Sequence, residues 1–230
     1  MRYLIIAMLI AFFVTALDSQ VREKFKGEQK GKEKKEQPAE TEGKTEQPTK
    51  PGSEKPTDTG NLIFFDNFAQ YSSDEDISAK WEIEDGSVDI KTIKGKKWMH
   101  IFSRQLKARP VINRLPEKFK IEFELIPGSE TTRISFLTAH EKELNYVDIS
   151  HWEAKSEKAN TYLNLTENVS HKVEIEVKGN LLKCAINGQT AIIEQRAFEE
   201  NVDLIKIKAW YPSLNNPIYI TNFAVYDLTR

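Results

Sequence analysis

From Asn61 onward, apolar and polar residues alternate with a period of two. Ile121, Phe123 and Leu125 interleave with Glu122 and Glu124. Val173, Ile175 and Val177 interleave with Lys172, Glu174 and Glu176, and Ile205, Ile207 and Ala209 with Lys206, Lys208 and Trp210. Successive side chains of a strand point to opposite faces, so this pattern predicts antiparallel strands with one dry face and one wet face. Turn signals separate the runs at Asp85-Gly86, Lys94-Gly95, Pro127-Gly128, Gly179-Asn180, Asn187-Gly188 and Asn215-Asn216-Pro217. About a dozen short strands and no long helical period predict an all-β sandwich or jelly roll. The sharpest local expectation is a three-strand meander over Val173 to Lys178, Leu181 to Ile186 and Thr190 to Ile193. Its Asn187-Gly188 step suits a tight type I′ hairpin, because both residues accept positive φ.

The first 60 residues break this pattern. Met1-Arg2 forms a short positive region, and Tyr3 to Leu17 is apolar almost without interruption. Val14-Thr15-Ala16, or Leu17-Asp18-Ser19, then offers small residues for cleavage. This is the layout of a secretory signal peptide, here residues 1–19, and its apolar run falls short of the roughly 20 residues that span a bilayer. An uncleaved anchor is the alternative. Residues 20–60 are mostly Lys, Glu, Gln, Thr, Pro and Gly. Their apolar area is too small to offset the entropy of ordering, so they are expected to form a disordered charged linker. Residues 61–230 then make one domain large enough for its own core. The expected location is periplasmic, cell-surface or secreted, with no membrane span after cleavage.

Composition removes some function classes. A formal net charge of -2 gives no basic surface for nucleic acid. Cys184 is the single cysteine, which excludes an intrachain disulfide. It sits in an alternating run with Lys183 on the opposite face and is expected to be a small buried hydrophobe.

Chemistry is sparse. The chain has no serine nucleophile elbow, phosphate-binding glycine loop or dinucleotide fingerprint. Glu122 and Glu124 share a strand face, about 7 Å apart by strand rise, not far from the separation of a retaining glycosidase pair. Alternating glutamates on a wet face nevertheless read as solvated. His100, His140, His151 and His171 lack zinc-site spacing. His171 opens a strand and reads as structural, and His140 and His151 would approach each other if their segments paired through a turn at residues 141–145.

Strand parity supplies the best candidate surface. With Ile134, Phe136, Val147 and Ile149 in the core, Arg133 and Ser135 face outward, as do Tyr146, Asp148, Ser150 and Trp152. Trp210 faces outward by the same rule, with Tyr211 beside it. Aromatic rings next to Arg and Asp are what a sugar-binding face uses, the rings covering C–H faces and the polar groups taking hydroxyls. The alternative is that a second sheet covers this face and the aromatics are ordinary core.

The segment from His171 to Gln189 resembles the meander of concanavalin A-like lectin/glucanase and laminin-G-like sandwiches. Phe64-Phe65-Asp66-Asn67-Phe68 with Trp81-Glu82, and Ile220 to Tyr226, are similar to their first and last strands. Exported lectin-like modules that precede an OmpA-type domain in Bacteroidetes envelope proteins are especially similar, although the sequence given stops at Arg230, before any such peptidoglycan-binding domain. The resemblance implies a jelly-roll β-sandwich in which Phe64 to Phe68 lies beside Phe223 to Tyr226. It implies no cofactor, except that Asp66, Asp74, Asp76 and Asp227 are oxygens of the kind that hold a structural calcium ion in related sandwiches. The Glu-x-Asp-x-x-Glu strand of the family's glycoside hydrolases is absent. The expected function is therefore non-catalytic binding of a glycan at the cell envelope or outside the cell. The alternatives are an adhesive protein that binds an envelope protein and an atypical glycoside hydrolase.

Overall fold

The computed structural model describes residues 60–72, 77–210, 212 and 215–229. The signal and linker expectations, and those on Asp74, Asp76 and Tyr211, lie outside the described residues.

The described residues form fifteen strands, somewhat more than the sequence reading counts. They are β1 (Asn61–Asp66), β2 (Trp81–Asp85), β3 (Val88–Ile93), β4 (Lys96–Ile101), β5 (Gln105–Pro110), β6 (Lys118–Ile126), β7 (Thr132–Leu137), β8 (Glu143–Ile149), β9 (Glu153–Lys155), β10 (Asn160–Tyr162), β11 (His171–Lys178), β12 (Leu181–Ile186), β13 (Gln189–Gln195), β14 (Leu204–Trp210) and β15 (Ile218–Asp227). All pairings are antiparallel and build a two-layer jelly-roll sandwich. The eight-stranded sheet runs β13-β12-β11-β6-β15-β4-β3, with β1 also on β15. The seven-stranded sheet runs β10-β9-β8-β7-β14-β5-β2. The meander appears as β11, β12 and β13, and Asn187 and Gly188 take φ of 51° and 78° at its second turn.

The alternating apolar residues of both sheets meet between the layers. Phe119, Ile121, Phe123 and Leu125 of β6 face Ile134 and Phe136 of β7, Val147 and Ile149 of β8, and Ile205, Ile207 and Ala209 of β14 across one core. Cys184 is buried among them, and burial, followed by the charge of Glu174, pushes its thiol up to about 12. At neutral pH it is a packing group and not a nucleophile.

Chain closure depends on one buried carboxylate. β1 pairs with β15 in the register Phe64↔Val225 and Asp66↔Phe223, as the resemblance implies. Phe68 lies just past the strand with φ 60°. The Asp66 carboxylate is fully buried. It accepts hydrogen bonds from Trp81 Nε1 at 2.9 Å, Tyr71 Oη at 3.1 Å and the Phe68 amide at 2.9 Å. Trp81 in turn packs edge-on against Phe64 (5.5 Å) and Phe223 (5.1 Å), and stacks with Phe68 at 6.0 Å. Both carboxylate oxygens are thus engaged by protein donors, and among the described residues no group of acidic or histidine side chains is arranged to hold a metal.

A second buried knot joins the sheets. Glu194 of β13 accepts from Asn145 Nδ2 of β8 at 3.0 Å and from Ser156 Oγ at 2.6 Å. Asn145 Nδ2 also reaches the Ala197 carbonyl at 3.0 Å.

Two sequence expectations need correction. Glu122 is not solvated. It is buried on the outer face of β6, 2.5 Å from Lys120 and 3.6 Å from Lys172. Glu124 beside it binds Lys96 at 2.7 Å, Ser170 at 2.8 Å and Asn222 at 2.8 Å. On a central strand, long neighbouring side chains cover such groups, which parity alone does not reveal. His140 and His151 do not approach each other, because β7 and β8 pair from Leu137↔Glu143 to Thr132↔Ile149. His140 therefore sits at the hairpin turn and His151 beyond the far end of β8. His171 is structural as expected: Nε2 donates to the Thr166 carbonyl at 3.0 Å, and Nδ1 accepts from Asn187 at 3.0 Å.

Replacing Asp66 by Ala would leave three buried donors without an acceptor. The expected loss is about 3 kcal/mol or more, read as a lower urea midpoint with an unchanged slope. Asp66→Asn, which keeps one acceptor, should lose less.

Candidate functional site

The outer face of the seven-stranded sheet carries the candidate site. Because Ile134, Val147, Ile207 and Ala209 point into the core, Arg133 of β7, Tyr146 and Asp148 of β8, and Lys208 and Trp210 of β14 point away from it. The second sheet packs on the other side, so these aromatics are not core, and both are partly exposed.

Register brings four of the expected residues together. Arg133 is the cross-strand partner of Asp148 on one side and of Lys208 on the other. Its Nε and Nη2 donate to the two carboxylate oxygens of Asp148 at 2.6 and 2.8 Å, a planar bidentate pair. Its Nη1 reaches Glu143 at 3.3 Å. The guanidinium carbon lies 3.8 Å from the ring centre of Tyr146 and 4.9 Å from that of Trp210. The two rings come from strands on opposite sides of β7, so β7 carries a cation held between neighbours. Hydrogen bonding to Asp148, against the opposing effect of burial, raises the Arg133 pKa further above its ordinary value. The inter-sheet knot supports this cradle from below, since Asn145 Oδ1 accepts the Tyr146 amide at 2.7 Å.

Trp152 stands apart. It lies in the turn between β8 and β9, 44% exposed, with its ring edge against His151 at 4.2 Å. Its carbonyl accepts from Leu163 at 2.7 Å.

The same face holds an ion network that the sequence reading did not assemble. Lys206 of β14 binds Glu84 of β2 at 2.7 Å and Glu141 at 3.0 Å. Arg109 of β5 binds Glu82 through Nε at 2.8 Å and approaches Glu84 and Glu141 at 3.8 and 3.7 Å. Lys208 binds Glu143 at 2.6 Å, and Lys107 lies 3.9 Å from Asp85. Glu141, half exposed at the β7–β8 turn, has φ 64°. Alternation in Lys107-Ala108-Arg109 and Glu82-Ile83-Glu84 marks these side chains as outward. That β5 lies beside β14, with β2 next to β5, is visible only in the fold.

These contacts set the electrostatics. Burial alone would raise the Glu143 pKa, but the hydrogen bond from Lys208 and the charges of Lys208 and Arg133 outweigh it, and the carboxyl falls below its ordinary value. Glu141 is lowered mainly by its hydrogen bond from Lys206. Lys206 is almost fully covered. Burial opposes its charge, yet its bonds to Glu84 and Glu141 leave its pKa raised.

No protein-family model and no curated protein matches the chain. Solved structures match in fold. The carbohydrate recognition domain of Emp47p is similar with a TM-score of 0.56 and 9% identity, over 75% of this chain and 99% of that one. The β-glucanase of Bacillus licheniformis aligns with a TM-score of 0.51 and 12% identity, over 74% and 99%. A sialidase aligns with a TM-score of 0.54 and 11% identity over 66% of this chain, which spans only 17% of the sialidase. The fold is that of concanavalin A-like lectins and glucanases, and its structural neighbours include carbohydrate-recognition domains.

A depressed carboxyl adds stability above its ordinary pKa and loses it as pH falls through the lower folded value. Below pH about 4.5, wild-type melting temperature should therefore drop more steeply than that of Glu143→Gln. Parallel acid curves would contradict the Lys208–Glu143 assignment.

Proposed function

We propose that this chain is an exported, non-catalytic glycan-binding module, with the Arg133 cradle on the outer face of the seven-stranded sheet as its ligand surface. The observation that carries this reading is the convergence of Tyr146 and Trp210 on a guanidinium already fixed by Asp148. Rings on rigid strands offer apolar area to the C–H face of a sugar at small entropic cost, and the paired Arg and Asp offer donors and acceptors to its hydroxyls. The fold neighbours that recognise carbohydrate point the same way.

The carboxylates of this face favour binding over hydrolysis. A glycosidase needs one carboxyl held protonated beside an ionised one. Here Glu141 and Glu143 are both pushed down, and each is tied to a lysine. Export rests on the N-terminal apolar segment alone. The role at a cell envelope, like that of the lectin-like modules of Bacteroidetes envelope proteins, rests on the sequence resemblance.

A glycan-array screen of the full chain, followed by calorimetry on its best glycan, tests the site. Trp210→Ala and Tyr146→Ala should each weaken binding about tenfold or more. Trp152→Ala, outside the cradle, should weaken it less. Unchanged affinity in both cradle variants would remove the site, and an empty array would remove the glycan reading.

A further inference from the structure

We infer that the cradle takes uncharged, polyhydroxyl sugars and selects against anionic ones such as uronates and sialylated glycans; this rests on the glycan-binding reading above. An arginine framed by two aromatic rings would ordinarily suggest a carboxylate ligand. The surroundings of Arg133 argue otherwise, because its positive charge is already matched. Asp148 holds two of its nitrogens along one edge, and Glu143 lies at 3.3 Å from the third nitrogen. The wider network on this face sets Lys107, Arg109, Arg133, Lys206 and Lys208 against Glu82, Glu84, Asp85, Glu141, Glu143 and Asp148, leaving one carboxylate in excess. Glu153 and Lys155 of β9 add one charge of each sign.

A carboxylate ligand would have to displace Asp148 from a bidentate pair or sit beside unbalanced negative charge. A hydroxyl needs neither. The guanidinium has five N–H groups, and its hydrogen bonds to the two Asp148 oxygens and to Glu143 leave two of them for a ligand oxygen. The carboxylate oxygens of Asp148 can in turn accept from a neighbouring hydroxyl. An ion pair that is complete in the free protein thus reads a sugar through adjacent donor and acceptor, with the rings of Tyr146 and Trp210 beside it. Little net charge is neutralised on binding, so added salt should have little effect.

The test is an array of matched glycans, each neutral glycan beside the version in which one hexose is the uronic acid, probed with the full chain. The neutral member should bind at least about fivefold more tightly, the scale of one unit charge a few ångströms away in water. Its affinity should change less than about twofold between about 50 and about 500 mM NaCl. Asp148→Asn should shift the ratio toward the uronate by about fivefold. Glu143→Gln gives the same readout if Asp148→Asn does not fold. Preference of the wild type for uronates, affinity collapsing in salt, or a ratio that neither variant moves would each overturn the charge selection and leave glycan binding standing. Binding of neither member of any pair would overturn the glycan reading and this inference with it.

Discussion

Each outward side chain of the seven-stranded sheet is aimed by the core residue beside it. Ile134 cannot leave the core without exposing its apolar surface, and while it stays, Arg133 must face out. Val147 holds Tyr146 and Asp148 in the same way, and Ala209 holds Lys208 and Trp210. The antiparallel register then decides which outward residues become neighbours, and it places Asp148, Arg133 and Lys208 in one row. A slip of one residue in β7 would turn Arg133 inward and destroy cradle and core together. On the proposed reading, affinity for a ligand and stability of the fold are therefore not separable at these strands.

Electrostatics completes what parity begins. Cations lined up on a central strand would repel one another, but β2, the β7–β8 turn and β8 each bring carboxylates to them. The covered position of Lys206 is tolerable only because Glu84 and Glu141 flank it. This rigid, nearly neutral surface keeps its side chains in place before any ligand arrives, which lowers the entropic cost of binding.

Alternation, turn residues and the Asn187-Gly188 hairpin made the two-layer fold and the meander legible in the sequence, and the pairing of the first and last strands was implied by the family resemblance. Parity also picked out Arg133, Tyr146, Asp148 and Trp210, because side-chain direction on a strand is a local property. Their mutual contact was not legible, since it depends on β14 lying beside β7 though 66 residues lie between Leu137 and its partner Leu204. The same non-locality hid Glu82, Glu84 and Arg109. Trp152 shows the limit of parity: the chain bends after Ile149, so the alternation counted through Ser150 no longer fixes direction. Glu122 shows another, because an outward residue on a central strand can be covered by its neighbours.

The outer face of the eight-stranded sheet sharpens the choice of site, because it too combines rings and charges. Lys120 lies over Tyr226 at 5.4 Å, and His100 stacks on Phe102 at 5.0 Å and Tyr219 at 4.9 Å while meeting Asp89 at 2.6 Å. Yet Tyr226, Lys120, Glu122 and His100 are all buried, and burial pushes the Tyr226 phenol up to about 12. A ligand would have to uncover those groups before touching them. Tyr146 and Trp210 need no such opening. Phe102 and Tyr219 are partly exposed, as Tyr146 and Trp210 are, so the two faces differ in the cation that the rings frame: His100 and Lys120 are buried, whereas Arg133 keeps part of its side chain at the surface, and the proposed recognition by the smaller sheet rests on that difference.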